Sequence, residues 1–239
     1  MNTLGIDTCE RRGSVALRRD GRLISLLRHE SAIDYSSWLL PAVEKCLGEA
    51  DSTLEGMDLL AVATGPGSFT GLRVGLTTVK AWAELYGKPI VGVSRLEVLA
   101  RFAGAEPGFV AASFDAQRGQ TFGGLYRVNV TSDWELMEQE MVIAPEEFVR
   151  WVRERVGETK VRWATPDAEI LEGLAPWREC AERGDVLVHC DAGLAAGVAE
   201  LGEQRARRGE TIDSLRLDAN YVRRSDAEIL WKDPASDGS

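Results

Sequence analysis

The sequence has 239 residues, 44% hydrophobic and 28% charged, an ordinary globular mixture that excludes global disorder. A formal net charge of −10 at pH 7 argues against a broad basic surface that grips nucleic acid unaided. No apolar run approaches the roughly 20 residues that a membrane-spanning helix needs.

The start, MNTLGIDTCERR, lacks the basic segment and apolar core of a secretory signal, so a cytoplasmic location without membrane contact is expected. The cysteines Cys9, Cys46, Cys180 and Cys190 form no C-x-x-C pair and read as reduced packing thiols. Three strand-like runs come first: LGIDT, SVALRRD and GRLISLLRH, the last two joined by the hairpin signal Asp20-Gly21. A helix is predicted from Ser36 to Ala50, with apolar Leu39, Leu40, Val43, Leu47 and Ala50. Pro41 falls near its start, where proline is tolerated.

The run LLAVAT, Leu59 to Thr64, reads as a buried strand and leads into GPGSFTGLRVGL, Gly65 to Leu76. An amphipathic helix is predicted from Leu72 to Tyr86, then a strand, KPIVGV. Ser94 and Glu97 form a capping box for a helix to about Phe102. The second half restarts the pattern with GFVAASFDA, QTFGGLYRVN and EQEMVIA as strands. Asp7 and Asp115 hold comparable places at the ends of their first strands, which suggests a structural duplication. Pro145-Glu146-Glu147 opens a helix with Phe148, Trp151, Val152 and Val156 on its apolar face. VRWAT and DVLVHC are further strands, Ala192 to Arg208 a final helix, and DPASDGS a disordered tail.

Two readings of the glycine-rich loop compete. A strand–loop–helix turn cradles phosphate through free backbone N–H groups at the helix start. The same glycines also permit close approach of helices or backbones. Asp7, Thr8, Gly65, Gly67 and Ser68 are the residues of a nucleotide site under the first reading. Against it, the loop lacks the G-K-[ST] ending, and the turn after Asp7 carries Glu10, Arg11 and Arg12 with glycine only at Gly13. Gly71 and Gly75 share one helical face, which favours packing; Arg73 suits either a phosphate or an interfacial salt bridge.

Other chemistry is weakly signalled. His29 and His189 have no histidine at i+4, and Gly67-Ser68 is not a nucleophile elbow, so no catalytic residue and no metal ligand is assigned. The basic runs Arg205 to Arg208 and Arg223-Arg224 read as solvated faces or partner salt bridges.

The segment GPGSFTGLRVGL resembles the signature of the TsaB (YeaZ) family of tRNA threonylcarbamoyladenosine biosynthesis proteins. IDTCERRGSVAL, YSSWLLPAVEKCL, KPIVGVSRLEVLA, FDAQRGQTFGGLY and YVRRSDAEILWK agree with it in their places. From about Val156 to Leu217 only the layout matches. Where members usually carry a histidine before the serine of the first helix, Tyr35 precedes Ser36, and the i, i+4 metal histidines of the catalytic relative TsaD are absent.

The resemblance implies an α/β fold of the duplicated actin-like ATPase type (ASKHA, RNase H-like), with mixed five-stranded sheets flanked by helices and a reduced second half. Residues 1–104 with 215–232 are expected to form the first subdomain, 105–214 the second, and 233–239 a tail. It also implies a non-catalytic subunit without cofactor that supports TsaD in modifying tRNAs reading codons that begin with A. Its implied partners are a TsaD-like protein, a TsaE-like ATPase in the larger complex, tRNA only through that complex, and a second copy when alone. Leu39, Leu40, Val43, Gly71, Arg73, Val74, Gly75, Thr78 and Trp82 are the expected partner-binding residues, and Gly75→Trp is expected to block assembly yet leave the monomer mostly folded. The alternative is an active ATP-dependent kinase of the same fold or a metal-dependent glycoprotease-like enzyme.

Overall fold

A computed structural model describes residues 1–10, 12–30, 34–131, 133–191 and 193–222. The expected family ending beyond Val222, the pair Arg223-Arg224, the predicted tail and Arg11 lie outside the described residues.

The first half runs β1 (Asn2–Asp7), β2 (Ser14–Arg19), β3 (Arg22–Arg28), α1 (Tyr35–Glu49), β4 (Leu59–Gly65), α2 (Phe69–Tyr86), β5 (Ile90–Ser94) and α3 (Arg95–Phe102). Asp20 and Gly21 both take positive φ, 50° and 79°, as a two-residue turn matched to strand twist requires. Helix α2 begins at Phe69, ahead of the predicted Leu72, because the Ser68 hydroxyl caps it by accepting from Gly71 N at 3.4 Å. Ser94 caps α3 in the same way, accepting from Glu97 N at 3.4 Å.

The second half runs β6 (Gly108–Gln117), β7 (Gln120–Val128), β8 (Trp134–Leu136), β9 (Met141–Ile143), α4 (Pro145–Val156), β10 (Val161–Thr165), α5 (Glu169–Glu172), α6 (Ala175–Glu182), β11 (Val186–His189) and α7 (Ala195–Arg207). Strand β8 and helices α5 and α6 were not anticipated; all are too short for periodicity to reveal. Among the described residues no helix is long and apolar enough to cross a membrane.

The two halves repeat one topology. The first sheet has the order β3-β2-β1-β4-β5, with β1 antiparallel to β2 and parallel to β4. The second has the order β11-β10-β6-β7-β8, and β9 pairs with a different stretch of β7, so two short pieces share the third-strand position. Where the first half has the 18-residue α2, the second has only the 4-residue α5 and the 8-residue α6. The duplicated actin-like architecture is therefore present, with a reduced second copy.

Each half lends its last helix to the other. Helix α7 packs on β1, β2 and β4, whereas α3 packs on β6, β7 and β10. Small residues permit this contact: a Cβ on Gly5 would come within 2.3 Å of the Ala195 carbonyl oxygen, and one on Gly202 within 2.6 Å of the Ala61 Cβ. Helices α1 and α2 cover the opposite face of the first sheet, since Gly5 and Ile6 point to opposite sides of β1 and Gly75 of α2 lies near Ile6. Beyond α7 the chain returns as a strap along the edge of β5, where Ile212 and Ile90 exchange backbone hydrogen bonds. Leu217 is buried beside Gly92, and Asn220 N donates to Thr64 O at 2.7 Å.

Candidate functional site

The ends of β1 and β4, the start of α2 and the start of α3 converge on Asp7. Its carboxylate is fully buried, which demands hydrogen bonds and a counter-charge. One oxygen accepts from Cys9 N at 2.9 Å and the other from Arg95 Nε at 3.0 Å. Arg95 is itself buried; its remaining nitrogens reach Glu10 Oε1 at 2.7 Å and Pro66 O at 3.4 Å. Its guanidinium carbon lies 4.4 Å from the centre of the Phe114 ring, which comes from the second half. Burial works against the charged guanidinium, but the carboxylates of Asp7 and Glu10 outweigh it and hold the proton more firmly than usual.

The charged turn continues across the cleft. Arg12 donates to Asp167 Oδ1 at 2.5 Å, and the other oxygen of Asp167 accepts from Asp115 N at 2.8 Å. The comparably placed Asp7 and Asp115 are thus drawn into one chain of ion pairs and hydrogen bonds joining the halves. Tyr35 closes the turn from the other side. Its hydroxyl accepts from Gly13 N at 2.7 Å and donates to the Glu10 carbonyl oxygen. Burial, together with the charge on Asp7, pushes that hydroxyl above its ordinary titration range. The rings of His29 and Trp38 pack against Tyr35.

The glycine-rich loop lies directly on this turn. Ser68 N donates to Cys9 O at 2.5 Å, and Thr8 Oγ1 donates to Gly71 O at 2.7 Å. A Cβ on Gly67 would meet Cys9 O at 2.3 Å, and one on Gly71 would meet Thr8 O at 2.0 Å. Gly65, at φ +114°, faces Asn220 O of the strap. The glycines allow two backbones of the same chain to touch, the second of the two readings. Asp7, Thr8, Gly65, Gly67 and Ser68 are brought together, and the space beside the Asp7 carboxylate holds the Arg95 side chain. Among the described residues no group of three or more His, Cys, Asp or Glu side chains is arranged to hold a metal ion.

The expected partner surface divides. Leu39, Val43, Gly71 and Gly75 are buried inside the chain, so the assignment of these residues to an open face is corrected. Gly75 faces Thr8, where a Cβ would lie 2.4 Å from Oγ1, so Gly75→Trp would wreck the fold before testing any interface. Leu40 and Arg73 are exposed, and Val74, Thr78 and Trp82 are partly so, on one stripe of α2 at i, i+4 and i+8. Sequence reasoning missed Arg95 and Asp167, which lie 88 and 155 residues from their partners Asp7 and Arg12 and carry no local signal.

Comparisons with known proteins agree with this architecture. The family model described as TsaD, tRNA N6-adenosine threonylcarbamoyltransferase, matches residues 29–161. The tRNA threonylcarbamoyladenosine biosynthesis protein TsaB of Escherichia coli is 27% identical over an alignment covering 97% of each chain. Its Bacillus subtilis counterpart is 36% identical over 53% of this chain and 56% of that protein. Among solved structures, YeaZ from Pseudomonas aeruginosa superposes with a TM-score of 0.69 at 28% identity, covering 92% of this chain and 99% of that one. With the fold, the loop and the full-length alignments in agreement, the chain belongs to the TsaB/YeaZ family.

Proposed function

We propose that this chain is a non-catalytic subunit in the formation of threonylcarbamoyladenosine on tRNA. It binds a TsaD-like protein and supports transfer of the threonylcarbamoyl group to the adenosine beside the anticodon of tRNAs reading codons that begin with A. The observation that carries this reading is the buried Arg95–Asp7 pair. An ATPase of this fold needs the first-strand carboxylate free to face metal and phosphate; here it is neutralised by the chain's own guanidinium. The loop that would wrap phosphate is occupied by contacts to Thr8 and Cys9.

With the chemistry placed elsewhere, the accessible part of α1 and α2 supplies the partner face. Leu40 is 50% exposed, and the half-buried Val74 and Trp82, with Thr78 between them, form a largely apolar stripe on α2. Arg73, stacked on Phe69 at 3.8 Å and free of ion pairs among the described residues, offers a cation at its edge. The same face serves a homodimer when the partner is absent. A TsaE-like ATPase joins the larger complex, tRNA is contacted through that complex, and the assembly works in the cytoplasm.

The test is reconstitution of the tRNA modification from TsaD-like, TsaE-like and adenylate-forming proteins, with and without this chain. Modification is expected to depend on it, and Leu40→Glu combined with Trp82→Glu is expected to abolish co-elution with the TsaD-like protein. Unchanged modification in its absence would overturn the reading. Metal-dependent ATP binding lost in Asp7→Ala would instead restore the active-enzyme alternative.

A further inference from the structure

On the far side of the β5–α3 junction lies a second cleft, of about 700 Å³, between the strap and the second sheet. It is lined by Ser94, Tyr126, Trp134, Glu140, Arg205, Asn220 and Tyr221, among others, and shares no residue with the α1–α2 surface. Ser94 and Arg95 are consecutive, yet Arg95 serves Asp7 while the Ser94 hydroxyl donates to Glu140.

Glu140 is the unusual group. It is largely enclosed, and Oε1 accepts from Ser94 and from the Tyr126 hydroxyl at 2.7 Å. Among the described residues, Oε2 accepts only from Asn220 Nδ2, at 2.5 Å. A carboxylate offers about four acceptor positions, so one on Oε2 is left unfilled by the described residues. All three donors are neutral, and Glu140 makes no ion pair among the described residues. The cation sharing the cleft, Arg205, is committed to Glu97 and to Gly92 O at 2.7 Å. Glu97 is bracketed further by Arg101 at 3.0 Å. Burial, with the charge of Glu97 adding to it, holds Glu140 above the usual carboxylate range despite its three donors.

We propose that this cleft binds an aliphatic ammonium ion, whose N–H group fills the open position on Glu140 and whose stem lies along Trp134 and Tyr221. A carboxylate enclosed without a counter-charge gains most from a cation that arrives with the ligand. Aromatic rings suit both the stem and the charge, and Trp134 already accepts the Arg101 guanidinium at 5.0 Å from its centre. A metal ion is the poorer occupant, since no cluster of three ligating side chains surrounds the site among the described residues. The ammonium comes either from a free polyamine or from a lysine side chain; both present the same group.

The experiment titrates the full chain with 1,5-diaminopentane, Nα-acetyl-lysinamide and neutral 1-pentanol, following tryptophan fluorescence and heat. Saturable binding of an amine, absent for 1-pentanol, is expected; the tighter of the two amines identifies the source. Glu140→Gln keeps the shape, because the Asn220 amide can flip to meet the new N–H₂ group, and is expected to weaken binding about tenfold or more. Without any variant, affinity for diaminopentane is expected to rise with pH as Glu140 ionises, at a pH above the ordinary carboxylate range. Ser94, Tyr126 and Asn220 face Glu140 as neutral donors, and the nearby Glu97 and Arg205 are paired with each other. Equal binding of 1-pentanol, equal affinity in Glu140→Gln, or no saturable response to either amine would overturn the proposal.

Discussion

The guanidinium of Arg95 meets the carboxylate of Asp7 at 3.0 Å with neither side chain more than 1% exposed. Such a pair contributes little net stability while intact, but removing one partner strands a buried charge. Arg95→Met is expected to destabilise the protein by about 3–5 kcal/mol in urea unfolding. The double variant Asp7→Leu with Arg95→Met is expected to lose less than the two single changes summed, because neither charge is then left alone.

Tyr35→Phe removes one hydroxyl that serves both Gly13 N and Glu10 O. Leaving the enclosed amide without a partner is expected to cost about 1–3 kcal/mol. Hydrogen exchange at Gly13 should accelerate together with the loss of stability. An unchanged Gly13 exchange rate would show that the hydroxyl does not hold the turn.

The glycines of the loop and of α1 should respond in opposite directions. Gly48 lies within α1 with nothing inside 4 Å of a Cβ, so Gly48→Ala is expected to stabilise by about 0.5–1 kcal/mol. Gly71→Ala puts a methyl group 2.0 Å from the Thr8 carbonyl oxygen and is expected to destabilise by about 1–3 kcal/mol or more. Denaturation midpoints of the two variants, measured side by side, separate close approach from helix propensity.

Glu140 gives the fold a pH signature. Its folded titration point lies above the unfolded one, so the folded state binds the proton more tightly. Its favourable contribution is present below the unfolded carboxylate value of about 4.3 and is lost as pH rises through the folded value. Glu140→Gln cannot titrate. Relative to wild type it is therefore expected to look better at neutral pH than in mild acid, in urea titrations across that range.

The four cysteines are buried and unpaired. Burial pushes the Cys180 and Cys190 thiols up to about 11, and Cys9 is raised well above its ordinary value. Little thiolate is present at neutral pH, so alkylation of the native protein is expected to be slow and to accelerate on unfolding. A fast-reacting native thiol, located by mass spectrometry, would contradict this arrangement.

Much of the fold was legible because its signals are local. Strand runs, the Asp20-Gly21 turn, the Ser94 cap and Pro145 at the head of α4 each act within a few residues. The repeated strand order could be anticipated from Asp7 and Asp115, each followed by a turn and a returning strand. The candidate site was legible only in part. The loop and Asp7 announce themselves, but what meets them does not: Arg95 reads along the chain as a routine first residue of a helix. Likewise the spacing of Gly71 and Gly75 established a shared face, yet only the position of Thr8 decided that the face looks inward.

The exchange of α3 and α7 has a consequence for how the molecule comes into being. A chain emerging from synthesis with β1 to β5 complete still lacks the helix that seals one side of that sheet, because Ala195 to Arg207 have not yet been made. The early half must therefore wait, with Leu59, Ala61 and their neighbours uncovered, until nearly the whole polypeptide is available. Neither half is a self-sufficient building block; each is finished by the other.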